Sequence, residues 1–171
     1  MECRRTKMTF DRFWGIAADD KKAISKRVSA IAVTKLNGRF LMIATKRGYV
    51  MFPGGAVEEG ESFAEAAARE LTEETGYQKR GEMKYLGRAV TRKVDRFDHD
   101  ALYESEMHFY RCDIHDGQVD LKLSSREIAS GIQPTWMTKE EIIQCNRSYY
   151  ETVPFDDPWV KMVEFVLEGL Q

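Results

Sequence analysis

Three glutamates, Glu70, Glu73 and Glu74, lie three and four positions apart within one short charged run. On a helix those spacings bring side chains to about 5–6 Å at the Cβ atoms, in a single stripe. Like charges so placed repel by roughly 0.2–0.5 kcal/mol per pair on an exposed helix, and by more beside a core. A hard divalent cation such as Mg²⁺ or Mn²⁺ turns that repulsion into coordination, because both ions choose oxygen ligands. Mg²⁺ commonly binds through a few carboxylates together with substrate phosphates, so the stripe points to phosphate chemistry more than to a closed structural cage. Helical glutamates are more often simply solvated. That plainer reading is adopted for Glu58, Glu59, Glu65, Glu140 and Glu141.

The stripe needs a helix to carry it. Ser62 is a natural N-cap, Glu65 three residues later completes a capping box, and Gly76 supplies the stop, which predicts a helix over 63–75. Phe63, Ala64, Ala67, Ala68 and Leu71 share the arc expected to face the core. Ala66 falls on the glutamate stripe one turn earlier, where a small side chain leaves room for an approaching group. Upstream, Val28 to Thr34 reads as a buried strand, Asn37-Gly38 as a hairpin turn and Phe40 to Thr45 as the return strand. Tyr49 to Phe52 forms a short strand ending at Pro53-Gly54-Gly55. Downstream, Met83 to Val94 and Glu104 to Asp113 read as strands around a charged loop, and Val119 to Leu123 as an edge strand. Trp136-Met137 leads into a helix capped by Thr138 and Glu141. A last helix has Asp157 as N-cap, Pro158 in its first turn and Trp159, Val163, Val166 and Leu170 as its apolar stripe.

Composition limits what these elements can be. A chain of 171 residues with 43% apolar content is enough for one packed domain and short for two. We divide it into an N-terminal arm over 1–27, packed on the body through Phe10, Phe13 and Trp14, and a single domain over 28–171. The charge of 26 basic against 28 acidic residues argues against a duplex nucleic-acid binder. No apolar run is long enough to span a bilayer, and the charged start MECRRTKMTF is unlike a secretory leader. Cys3, Cys112 and Cys145 are too scattered for a disulfide framework or a zinc site, which fits a cytoplasmic protein.

The frame around the glutamates is Gly55, five residues, Glu61, seven residues, then Arg69-Glu70-Leu71-Thr72-Glu73-Glu74-Thr75-Gly76. It resembles the Nudix box, G-x5-E-x7-R-E-U-x-E-E-x-G-U, with all seven fixed positions present and Tyr77 where the family usually has an aliphatic residue. At average usage, a chance match in a chain of this size is on the order of one in a million. The resemblance plausibly reaches from residue 28 to 147, with the final helix as an addition. It implies an α/β fold, the Nudix α/β/α sandwich with a mixed central sheet. It also implies hydrolysis of the pyrophosphate linkage in a nucleoside diphosphate derivative, with Mg²⁺ or Mn²⁺. Carried over to this sequence, it makes Glu70, Glu74, Glu73 and the Gly54 carbonyl metal ligands. Arg69 would orient the glutamates, and Glu61 would brace the loop against Arg69. The base that takes a proton from the attacking water lies either in the box, at Glu73, or on a later loop. For the later loop Glu127 is the preferred residue, with Glu104 and Glu106 as competitors.

Other residues admit two readings. Arg47 and Tyr49 precede the glycine loop and suit substrate binding, through a phosphate and a stacked base, or plain surface. Lys46 and Tyr103 are similar cases, whereas Phe52 is assigned to the core. Arg88, Arg92, Lys93 and Arg96 fall on a strand and the following loop, with Arg88 and Arg92 on one face, either as a phosphate-steering patch or as the wet side of a sheet. His99, His108 and His115 have no metal-ligand spacing, and Cys112 reads as core. Two other functions compete with hydrolysis. One is a sensor that binds a nucleotide on the same fold without cleaving it; the other is a prenyl diphosphate isomerase with a related box. The expected partner is a small molecule rather than a duplex or a membrane; the sequence leaves a homodimer open.

Overall fold

The computed structural model describes residues 10–153 and 157–170. Cys3 and the first nine residues of the arm lie outside the described part, as do residues 154–156. The elements run β1 (Phe10–Gly15), β2 (Ile24–Val33), β3 (Lys35–Leu36), β4 (Arg39–Ala44), β5 (Val50–Met51), β6 (Gly54–Ala56), α1 (Phe63–Thr75), β7 (Lys79–Val94), β8 (Leu102–Ile114), α2 (Ser125–Ser130), β9 (Gln133–Met137), α3 (Lys139–Tyr150) and α4 (Pro158–Gly169).

Two sheets form. The larger is mixed, in the order β1-β7-β8-β2-β6, with β1–β7 and β2–β8 parallel and β7–β8 and β2–β6 antiparallel. The smaller pairs β4 with β3, β5 and β9, all antiparallel. The β3–β4 turn takes positive φ at both Asn37 and Gly38, the geometry of a type I′ hairpin. Strand alternation sends apolar side chains to both faces of the large sheet. On one face Ala30, Ala32 and Cys112 pack with Ala66, Ala67 and Leu71 of α1. On the other Ala89, Met107 and Phe109 pack with Ile142 of α3 and Met162, Val163, Val166 and Leu167 of α4. The result is an α/β/α sandwich with α1 on one side and α3 and α4 on the other. Phe10 and Trp14 of β1 pack edge-on against Phe165, and Phe10 also meets Phe109.

Two local expectations are corrected. Val119 to Leu123 forms no strand. The segment lies across the end of α1, where Val119 N–H donates to the Gly76 carbonyl and Lys122 N–H to the Glu73 carbonyl. Those orphan acceptors at the helix terminus take the hydrogen bonds a neighbouring strand would have supplied. Ala66 leaves no room beside the glutamates; it is fully buried against the sheet, and Ala64 and Ala68 are only half-buried. The buried face of α1 is therefore turned toward its acidic stripe and includes Glu70 and Glu74.

Candidate active site

Both ends of α1 are fixed locally. The Ser62 hydroxyl and the Glu65 carboxylate exchange hydrogen bonds across a complete capping box, and Gly76 closes the helix at φ 75°. The packing of Ala66, Ala67 and Leu71 on the sheet then turns Glu70 and Glu74 to the interior, 8% and 3% exposed. The Gly54 N–H donates to Glu74 Oε2 at 2.9 Å, which ties the carboxylate to the loop ahead of the helix. At Gly55 an added Cβ would overlap the Glu70 carboxylate, so only glycine lets the loop and the acid share this space.

Arg69 is the hub of the loop. Its Nε and one terminal nitrogen donate to the two oxygens of Glu61, at 3.1 and 2.7 Å, in fork geometry. The same terminal nitrogen reaches the Ala56 carbonyl at 3.0 Å. The other donates to Glu70 at 2.8 Å and to Glu73 at 3.3 Å. These bonds to Arg69, with a second from the Glu58 N–H, hold the Glu61 carboxyl below the usual carboxylate range. Burial does the opposite to the other two acids. It raises Glu70 and pushes Glu74 up to about 8 despite the bond from Gly54.

A third carboxylate joins them from elsewhere in the chain. Glu127 stands in α2, a six-residue helix whose capping box pairs Ser124 with Glu127. Carboxylate oxygens of Glu70, Glu74 and Glu127 lie within 4.8 Å of one another. Glu73, also on the α1 stripe, is outside this trio; it faces outward, about a third exposed, beside Arg69. Three convergent carboxylates, two of them buried and both of those raised by desolvation, together with a loop kept free of Cβ at Gly55, fit a divalent cation. Glu104 and Glu106 are engaged elsewhere, Glu104 with Arg92 and Lys26, Glu106 with Arg88 and His108. Those pairings also engage the two arginines of the strand face.

Arg47 and Tyr49 line a cleft of about 1240 Å³ between the ends of β1 and β7, the β4–β5 turn and the α3–α4 corner. Tyr49 packs against Tyr149 and Trp159, with ring centroids 4.9 and 5.7 Å away. Asn146, 1% exposed, clamps the adjoining strand by accepting from Val50 N–H and donating to its carbonyl, at 2.9 and 3.0 Å. Sequence reasoning missed Asn146 and Arg126, and placed Arg96 only in a patch with Arg88, Arg92 and Lys93. Asn146 had a polar position in an amphipathic helix as its only local signal. Arg96 and Arg126 reach the neighbourhood of Arg47 through tertiary structure alone. Tyr77, the one departure from the box, accepts a hydrogen bond from Trp136 Nε1 at 3.3 Å and packs edge-on against that ring. An aromatic partner thus replaces the usual aliphatic contact.

Among solved structures the fold is similar to a NUDIX hydrolase from Nitrosomonas europaea. The TM-score is 0.56 and the identity 21%, over 85% of this chain and 91% of that one. It is also similar to the mutator MutT protein from Bacillus halodurans, with a TM-score of 0.54 and 22% identity over 77% and 84% of the two chains. The family model of the NUDIX domain matches residues 25–161, most of the chain. With the box on α1 and the sandwich around it, the chain belongs to the NUDIX family.

Proposed function

We propose that this chain cleaves the pyrophosphate linkage of a nucleoside diphosphate derivative with the help of Mg²⁺ or Mn²⁺. The observation that carries this reading is the convergence of Glu127, from a separate helix, on Glu70 and Glu74. Burying two carboxylates beside a third costs free energy that the bonds from Arg69 to Glu70 and from Gly54 to Glu74 offset only in part, since burial still holds both carboxyls above their ordinary value. Glu70 and Glu74 would hold the ion, with Glu127 beside it and Glu73 and the Gly54 carbonyl as further candidate ligands. When bound, the cation neutralises the diphosphate oxygens and lowers the pKa of water.

The protein's own residues supply the rest. Arg69 fixes the Glu70 rotamer and holds Glu73 in place by charge-assisted hydrogen bonds. Glu61 and the Ala56 carbonyl keep Arg69 from swinging out to solvent. Glu127 accepts the proton of the attacking water; its half-buried position at the rim leaves it reachable, and Glu73 is the alternative acceptor. Arg47 and Tyr49 receive the nucleotide in the cleft, Arg47 through a phosphate and Tyr49 through its ring.

The test is a product assay over a panel of nucleoside diphosphate derivatives with each metal. Glu127→Gln is expected to lower kcat by about 10²–10⁴-fold, with an unchanged circular dichroism spectrum. Full turnover in that variant would remove Glu127 from the chemistry, and no cleavage of any panel member would overturn the reading as a whole.

A further inference from the structure

A second, oppositely charged convergence lies next to the carboxylates. Arg47, Arg96 and Arg126 surround a small polar pocket of about 200 Å³, completed by Thr45, Tyr49 and Ser130. They come from three elements: the β4–β5 turn, the β7–β8 loop and α2. Among the described residues no carboxylate lies within ion-pair distance of any of the three guanidinium groups. This occurs in a chain whose net charge is -2. Arginines without an ion pair are common on surfaces, but three lining one small pocket repel one another, and the Phe97 ring 4.6 Å from the Arg96 guanidinium brings no neutralising carboxylate.

Each arginine sits on a backbone fixed by local hydrogen bonds. The turn bearing Arg47 is closed by Gly48 N–H to the Thr45 carbonyl and Thr45 N–H to the Tyr49 carbonyl. Lys46 N–H donates to the Ser130 carbonyl, which ties that turn to the end of α2. The loop bearing Arg96 is ordered by Asp95, whose carboxylate accepts from Phe97 and Asp98 N–H, and by Asp95 N–H to the Ala101 carbonyl. The capping box of α2 fixes the backbone at Arg126. Planar guanidinium forks held in this way suit a tetrahedral oxyanion. The pocket shares Arg47, Tyr49 and Arg96 with the aromatic cleft, and through α2 it adjoins the acidic trio.

We infer that the pocket formed by Arg47, Arg96 and Arg126 binds a phosphate group of the substrate other than the two joined by the scissile bridge. The inference rests on the pyrophosphohydrolase reading for its placement. It selects within that class the substrates that carry an additional dianionic phosphate, over nucleotide sugars whose second group is neutral. The extra phosphate is either the terminal group of a longer phosphate chain or a monoester on the sugar.

Binding can be read without catalysis. Inorganic phosphate is titrated calorimetrically into the full chain without added metal. It is expected to bind, and Arg96→Gln and Arg126→Gln are each expected to raise the dissociation constant by about ten- to a hundredfold. Both side chains are exposed and unpaired, so melting temperature serves as the control for folding. An absence of phosphate binding, or equal binding by the wild type and both variants, overturns the inference.

Hydrolysis then separates the sources, using a nucleoside triphosphate, a nucleoside diphosphate bearing a ribose phosphate monoester, and a neutral nucleotide sugar. Arg126→Gln is expected to cut kcat/KM for at least one phosphate-bearing substrate about tenfold more than for the sugar; the more affected substrate identifies the source. An equal loss on all three overturns the inference. A chain that binds phosphate at the arginines yet cleaves nothing would instead refute the pyrophosphohydrolase reading alone.

Discussion

The buried Glu74 makes the stability of the metal-free protein depend on pH in a way that one substitution should erase. Its carboxyl titrates near 8 in the folded chain, because burial disfavours the anion, against an ordinary value of 4.5. Below about 4.5 the group is neutral in both folded and unfolded chains and costs nothing. As the pH rises from 4.5 toward 8 the unfolded chain releases the proton while the folded chain retains it, so stability falls, and above 8 the loss is complete. At about 1.4 kcal/mol per pH unit the ceiling is on the order of 5 kcal/mol, and water admitted beside the carboxylate reduces this to a few. Glu74→Gln keeps an acceptor for the Gly54 N–H but cannot ionise. Urea unfolding in EDTA, at steps from pH 4.5 to 9, should show the variant gaining on the wild type by a few kcal/mol across that window. A ligating carboxylate must be deprotonated, so millimolar Mg²⁺ or Mn²⁺ at pH 8 should restore the wild type and leave the variant unmoved. If the two pH profiles superimpose in EDTA, Glu74 carries no burial cost and the argument for an ion among these acids loses its energetic basis.

Three further perturbations probe the scaffold. Gly55→Ala drives a Cβ into the Glu70 carboxylate; calorimetry should show Mn²⁺ affinity lowered at least about tenfold, with a stability loss of roughly 1–3 kcal/mol. Ser124→Ala removes the cap of α2. Global stability should shift by less than about 1 kcal/mol, while kcat falls several-fold as Glu127 loses its fixed backbone; an unchanged kcat would mean that α2 does not position the acid. Asn146→Ala strands the N–H and carbonyl of Val50 in the interior, and urea unfolding should register about 2–4 kcal/mol.

Features governed by short-range chemistry were legible in the sequence. The capping boxes of α1 and α3 and the Asp157-Pro158 start of α4 mark where these helices begin, because capping is settled by atoms three positions apart. The Asn37-Gly38 turn was legible for the same reason. Serine and glutamate three residues apart also announce α2 at Ser124 and Glu127, but the helix is one turn and a half long and buries no residue, so no apolar periodicity accompanies the signal. The false strand at Val119 shows the converse, an alternating pattern with no neighbour to pair with. Which face of α1 is buried depended on hydrogen bonds from the loop at Gly54, separated from Glu74 by 20 residues, and no helical wheel contains that information. The partition among the acids, with Glu127 joining Glu70 and Glu74 while Glu73 stays beside Arg69, likewise exists only once α2 is docked.

That docking explains why so short a helix is capped at both ends. Adjacent helical residues diverge by about 100°, and here Arg126 and Glu127 face an arginine pocket and an acid cluster. Adjacent helical residues can pair, as Arg69 and Glu70 of α1 do at 2.8 Å, but among the described residues Arg126 and Glu127 form no such pair. The Glu127 carboxylate is turned to the Ser124 N–H at 2.6 Å, while Gly131 in the left-handed conformation and the Lys46 N–H to Ser130 carbonyl bond fix the other end of the helix. With the backbone fixed, opposite charges are kept apart at the boundary between the box and the cleft. A ligand whose phosphates span that boundary would satisfy both at once. The electrostatic energy withheld from the free protein then becomes available on binding, which is how a preorganised site gains affinity without new contacts elsewhere in the fold.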